Sequence, residues 1–191
     1  ALSGLAGGGV DALVLGDGVA AVADVVAGTG VRKVLLGEGA AFSKYLAVTY
    51  AAAVAQVVKA KGYGAVFAPA STFGKDFMPR LSGLRDAPLA SDIVGLEKDG
   101  EILRVKRPMY AGNAIGTVTL SGGPLLFTVR QTAFEPAATG GAAVRSGTGL
   151  AGRTMRPARV EMAAVGAIGR RGLNFSTKYW VCTNTRGRSD W

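Results

Sequence analysis

Histidine is absent from these 191 residues, and Cys182 is the only cysteine. Without histidine there is no Ser-His or Cys-His catalytic pair, and metal binding falls to carboxylates alone. One cysteine excludes an intrachain disulfide framework and a cysteine-rich metal site. Long apolar runs are missing too. None reaches the roughly 18–20 residues needed to cross a bilayer, so no membrane insertion is expected. Ala1-Leu2-Ser3 shows no basic region leading into an apolar stretch, so no signal peptide is read there. The absence of an initiator methionine predicts that upstream sequence has been removed. These absences argue against a hydrolase or a metalloenzyme, and no catalysis by side chains is expected.

What is present is a small-residue core. Hydrophobic residues make up 49% of the chain, much of it alanine and valine, beside 29 glycines. The length allows one domain, or one and part of another. The net charge of +9 suggests a nucleic-acid partner until it is divided along the sequence. Residues 1–140 hold 13 Lys and Arg against 11 Asp and Glu. Residues 141–191 hold 9 against 2. The basicity therefore belongs to a tail that can meet phosphates non-specifically. A solvated tail is the plainer reading, and no specific nucleic-acid partner is expected.

The hydrophobic pattern alternates strand and helix. Asp11–Leu15 reads as a short strand with a turn at Gly16-Asp17-Gly18, and Val19 to Ala27 as a helix. Val31–Leu36 is the next strand, Tyr45–Lys61 a longer helix, Gly64–Phe67 a third strand and Lys75–Leu84 a third helix. Such alternation implies βαβ units around a parallel sheet. After Asp86 the rhythm changes. Ser91–Leu96, Leu103–Arg107, Ala114–Leu120 and Leu125–Arg130 read as strands with no helix between them. The turns Lys98–Glu101 and Ser121–Pro124 are of hairpin type. The expected architecture is α/β, with a mostly parallel sheet and a partly antiparallel extension. PAATGGAAVRSGTGLAG, from Pro136 to Gly152, has linker composition and places a boundary near residue 140. Beyond it Arg159–Ile168 reads as one more strand, and Ser176–Trp191 shows no periodicity.

Several residues invite a chemical reading. Gly7-Gly8-Gly9 precedes a strand, and Gly16-x-Gly18 follows one without a third glycine at dinucleotide spacing. No complete phosphate loop exists: Gly74-Lys75 is followed by Asp76 where Ser or Thr is required. These glycines read as turn residues. Ser71, Thr72 and Lys75 stand at a helix start, where an anion could sit or a hydroxyl could cap. Lys75 opposes the helix dipole there, which calls for a salt bridge or a partner contact. Asp92, Arg107 and Asn113 lie beside tight turns, where structural anchoring competes with ligand contact. Arg80 and Arg130 are placed to pin a sheet edge or a partner.

Four blocks carry a family likeness: APASTFGKDFMPRLSGL, APLASDIVGLE, RPMYAGNAIGTV and FTVRQTAFEPAATGG. In this order and spacing they resemble the alpha subunit of electron transfer flavoprotein over roughly residues 5–141. The resemblance implies a three-layer Rossmann-like domain, of the adenine nucleotide alpha hydrolase-like kind, over residues 1–140. A flexible linker would follow at 141–155. Residues 156–191 would be a remnant of, or replacement for, the FAD-binding domain, poorly ordered. It further implies a soluble heterodimer with an electron transfer flavoprotein beta subunit. In that family, acyl-CoA dehydrogenases and other flavin dehydrogenases of fatty acid and amino acid catabolism are the electron donors. Electron transfer flavoprotein-quinone oxidoreductase, on the way to the respiratory quinone pool, is the acceptor. FAD is the family's cofactor and is not expected to be retained by this chain alone. Gly169, Arg171 and Gly172 match what is left of a flavin-side motif, with Arg170 where glycine is usual. The mitochondrial matrix is the expected location, with a bacterial cytoplasm as the alternative. Two other functions remain in view at this point: a stand-alone nucleotide-binding or partner-binding α/β module, and a basic nucleic-acid-binding protein.

Overall fold

The computed structural model describes residues 9–100, 102–137 and 140–148, and the backbone of 178–183. Its elements begin with β1 (Val10–Gly16), α1 (Ala20–Ala27), β2 (Lys33–Glu38), α2 (Ala47–Lys61), β3 (Ala65–Pro69) and α3 (Thr72–Arg85). Then come β4 (Leu89–Ile93), β5 (Gly95–Asp99), β6 (Ile102–Met109), β7 (Ala114–Thr119), β8 (Leu125–Val129), β9 (Val144–Gly147) and β10 (Lys178–Thr183). Seven strands form one sheet in the order β4-β8-β3-β10-β1-β2-β9, and β5-β6-β7 form a second. The chain is α/β, as the strand–helix rhythm predicts.

Strand alternation builds the layers. Leu13 and Leu15 of β1, Val66 and Ala68 of β3 and Leu126 of β8 share one cluster with α2 and α3, through Tyr50, Val54, Phe77 and Leu81. Their neighbours point the other way. Ala12 and Val14 pack with Ala23 and Val26 of α1. Ala65, Phe67 and Phe127 pack with Ile93 and with Val105 of β6. One face of the large sheet thus carries α2 and α3, and the other carries α1 and the small antiparallel sheet. That is a three-layer Rossmann-like arrangement. Small residues allow it: Ala51, Ala53 and Ala23 are fully buried.

Asp11 is an exception to this apolar interior. It is 3% exposed on β1. Arg32 grips it bidentately, Nε to Oδ1 at 2.8 Å and Nη2 to Oδ2 at 2.6 Å, and the Tyr63 hydroxyl donates to Oδ2 at 2.7 Å. A buried carboxylate persists only when its oxygens are satisfied in this way. The trio ties the entrance of β2 and the α2–β3 connection to β1.

Three local readings change. The third helix begins at Thr72, one turn before Lys75, because Ser71 Oγ accepts the Gly74 N–H at 3.3 Å and caps it. It also tolerates Pro79, which is exposed within the helix. The segment Ser91–Leu96 is two strands in different sheets, not one. Asp92 takes φ +58°, the β4–β8 register shifts between Ala90 and Ile93, and the Val94 N–H donates to Lys106 O at 2.8 Å. A left-handed residue turns the chain out of the parallel sheet and into the antiparallel one. Finally, the 141–155 stretch contains β9, parallel to β2. Lys178–Thr183, which has no periodicity in sequence, forms β10 between β1 and β3, antiparallel to both. The strand read at Arg159–Ile168 lies outside the described residues.

Candidate functional site

The parallel strands β3, β4 and β8 all end at one edge of the sheet, and α3 begins there. The cluster at that edge centres on Asp92. Its N–H donates to the hydroxyl of Thr128, a residue 1% exposed on β8, at 2.7 Å. Its carboxylate takes both arms of Arg130, Nε to Oδ1 at 3.2 Å and Nη2 to Oδ2 at 2.6 Å. The Arg130 N–H in turn donates to Ile93 O at 2.9 Å, which fixes the base of the arginine. From α3, Lys75 Nζ comes to 4.0 Å of Oδ2. The Arg130 hydrogen bonds hold the Asp92 carboxyl below its usual range, with Lys75 and Arg107 adding to the effect and partial burial opposing it. Asp92 in turn raises the already high pKa of Arg130. A carboxylate kept ionised this firmly is an acceptor, not a proton donor near neutrality.

Beside it opens a pocket of about 470 Å³ lined by Asp92, Arg107, Arg130 and the turn from Pro108 to Gly112. That turn joins β6 to β7 and is built from left-handed backbone: Tyr110 at φ +49°, Ala111 at +55° and Gly112 at +98°. For the two non-glycine residues this conformation costs of order 1–2 kcal/mol each. Asn113 does not take the left-handed conformation, at φ −70°. Its side-chain amide instead closes the turn on Tyr110 O at 2.8 Å. Tyr110 stands 79% exposed, with Met109 also exposed beside it.

The remaining candidates separate. Ser71 is the helix cap, and Thr72 is the exposed first residue of α3. Lys75 finds the acidic partner its position demands. Arg80 is exposed on α3 and makes no ion pair among the described residues. Gly18 takes φ +67° in a turn, as read. The helix that follows offers no phosphate seat, because the Val19 N–H is already held by the Glu38 carboxylate at 2.9 Å. A flavin diphosphate therefore does not fit this strand–helix turn, where a second anion would be repelled. Gly169, Arg171 and Gly172 lie outside the described residues. Among the described residues no three His, Cys, Asp or Glu side chains gather as metal ligands, and no helix is long and apolar enough to cross a membrane.

Two features escape sequence reasoning. The Asp11–Arg32–Tyr63 trio leaves only a faint signal: a carboxylate opening an apolar strand, and an arginine just before the next. The left-handed pair Tyr110-Ala111 leaves none except the Gly112 that follows.

Comparison with known proteins places this architecture. A family model described as the electron transfer flavoprotein domain matches residues 2–148. The chain is 43% identical over 139 residues to the electron transfer flavoprotein subunit alpha of Pseudomonas aeruginosa, covering 72% of this chain and 43% of that protein. It is 39% identical over 114 residues to the corresponding subunit of Paracoccus denitrificans, covering 60% of this chain and 35% of that one. A probable mitochondrial electron transfer flavoprotein subunit alpha of Cryptococcus neoformans is 40% identical over 116 residues, 59% of this chain and 33% of its own length. The chain spans less than half the length of these relatives. Matched over most of its length by the family model and by alpha subunits at this identity, the chain belongs to the electron transfer flavoprotein family.

Proposed function

We propose that this chain is the partner-holding α/β domain of an electron transfer flavoprotein alpha subunit. It pairs with a beta subunit and serves an electron carrier, not a catalyst in its own right. The observation that carries this reading is the 43% identity to an alpha subunit, which spans 139 residues. The chemistry of the sheet edge supports it: a clamped carboxylate, exposed apolar side chains and no acid–base pair among the residues of the site. In the assembled carrier, flavin dehydrogenases such as acyl-CoA dehydrogenases donate electrons, and electron transfer flavoprotein-quinone oxidoreductase receives them.

FAD supplies the electron storage when bound. The described turn that follows β1 does not fit it, and we assign flavin binding to sequence beyond residue 148. Gly169, Arg171 and Gly172 are the residues of this chain proposed to face it. The proposed division is an α/β domain over 1–140, a linker over 141–155 that lends it the edge strand β9, and a flavin-domain counterpart over 156–191 from which β10 returns to the α/β sheet. The working compartment is the mitochondrial matrix or, for a bacterial source, the cytoplasm.

Co-expression of the full chain with the beta subunit of the same organism tests the proposal. We expect the two to co-elute in size-exclusion chromatography, without the visible absorption of a stoichiometric flavin. Failure to co-elute, with both chains folded, overturns the partner role. A yellow protein from this chain alone overturns the expectation that it does not retain FAD by itself.

A further inference from the structure

Three cations surround one carboxylate at the sheet edge. Arg130 and Lys75 contact Asp92, and Arg107 lines the same pocket. Arg130 neutralises Asp92 through two hydrogen bonds. Lys75 pairs with Asp92 from outside the pocket lining, which leaves Arg107 as the lining cation without a hydrogen-bonded partner at its Nε. Arg107 makes no ion pair among the described residues, and its Nε is buried without a hydrogen-bond partner. A buried guanidinium N–H without an acceptor carries a desolvation cost that a ligand can relieve. The adjoining wall is the left-handed stretch Tyr110–Gly112.

We propose that the pocket between Arg107, Arg130 and the 108–112 turn is a binding site for a phosphomonoester group of a small soluble molecule. The charges select this class. Two guanidinium groups, Arg107 and Arg130, line the pocket. A phosphomonoester, with a charge of about −1.5 to −2 and three acceptor oxygens, can bond to both while one of them also holds Asp92. A carboxylate has half the charge and two oxygens. The planar fork of an arginine also suits the phosphate oxygens. The volume of about 470 Å³ exceeds the needs of a phosphate alone and falls in the range of small-molecule sites. Met109 and Tyr110 supply an apolar rim for the body of the ligand. The pocket shares the sheet edge that the proposed function draws on, and titration of the chain without its partner lets the two readings fail separately.

The probe is phenyl phosphate, titrated into the full chain at constant ionic strength while backbone amide shifts are followed by NMR. We expect saturable shifts confined to residues 107–113 and 130. Affinity should fall about tenfold or more in Arg107→Gln, and less in Arg107→Lys, which keeps the charge but loses the fork. Lys59→Gln, which removes an exposed lysine on α2, should leave affinity unchanged. Circular dichroism and urea midpoints establish that each variant is folded. Binding should weaken as pH falls through about 6, where the phosphate takes up a proton. Non-saturating shifts, or equal losses in Arg107→Gln and Lys59→Gln, overturn the site. Benzoate binding as tightly as phenyl phosphate overturns the dianion assignment.

Discussion

Gly74 offers a test in which two identical substitutions in one helix should act with opposite sign. In an exposed helix interior, Gly→Ala normally stabilises by about 1 kcal/mol, because alanine has less backbone freedom to lose. Gly83 of α3 is such a site: it is exposed, and nothing lies within 4 Å of an added Cβ. Gly74, in the first turn of the same helix, is buried. A Cβ there would stand 1.9 Å from Pro69 O, where real contacts essentially never fall below 3.0 Å. The helix start must then move by at least the difference, about 1 Å, away from the end of β3. That end is anchored on both sides: Ala70 N–H donates to Val129 O at 2.7 Å, and Ser71 caps Gly74. Overpacking against backbone costs about 1–3 kcal/mol or more, which outweighs the helix gain. We therefore expect Gly74→Ala to lose about 2 kcal/mol and Gly83→Ala to gain about 0.5–1 kcal/mol. With a urea m-value of about 2 kcal/mol/M, the midpoints should move by about 1 M down and 0.3–0.5 M up at unchanged slope. A stabilised Gly74→Ala refutes the close approach of α3 to β3, and with it the placement of the whole edge.

Other consequences are open to measurement. Since the Asp92 pKa is depressed on folding, its contribution is present above the unfolded carboxylate range, near 4, and disappears as pH falls through the lower folded value. The stability gap between wild type and Asp92→Asn, read from urea midpoints, should thus be constant near neutrality and begin to shrink below about pH 4; a gap that does not shrink at all below that point contradicts the Arg130 clamp. Burial pushes the Tyr50 hydroxyl up to about 12, so its contribution is full below the unfolded value, near 10, and is lost as pH rises toward 12. Tyr50→Phe should flatten the alkaline arm of the stability profile, and an unchanged arm rules Tyr50 out as its source. Val181 pairs with Ala12 on one side and Phe67 on the other, so Val181→Pro removes a ladder bond from an interior strand whichever neighbour its N–H faces. A loss of about 3 kcal/mol or more is expected by urea unfolding, and a neutral substitution removes β10 from the centre of the sheet.

What the sequence discloses follows the range of the interactions concerned. β1, α1, β2, α2 and β3 are legible because each alternation or helical period is complete within about ten residues. The start of α3 is misplaced by one turn, since Phe73-Gly74 looks like loop until Pro69 O is seen to require a residue without a Cβ. Ser91–Leu96 reads as one strand because an aspartate in an apolar run carries no mark of φ +58°. The hydroxyl of Thr128 and the fork of Arg130, both about 40 residues away, hold that conformation. β10 is the least legible element. Its place depends on pairing with β1 and β3, and nothing in KYWVCT specifies either partner. The family likeness, by contrast, is plain in sequence because its blocks are the turns that shape the sheet edge.

The site at that edge is a consequence of how the chain changes sheets. To leave β4 and lay the antiparallel strands over the face formed by Ala65, Phe67 and Phe127, the backbone must turn sharply just before Ile93. Asp92 makes that turn, and its side chain projects where β8 ends, so Arg130 can reach it bidentately. The same crossover brings β6 across the edge and with it Arg107, which the fold itself does not pair. Removing Arg107 should therefore relieve an unsatisfied buried N–H, whereas removing Arg130 would strip the partner from Asp92 at the turn. One arginine belongs to the architecture; the other is left facing the pocket, and a role in binding is what distinguishes it.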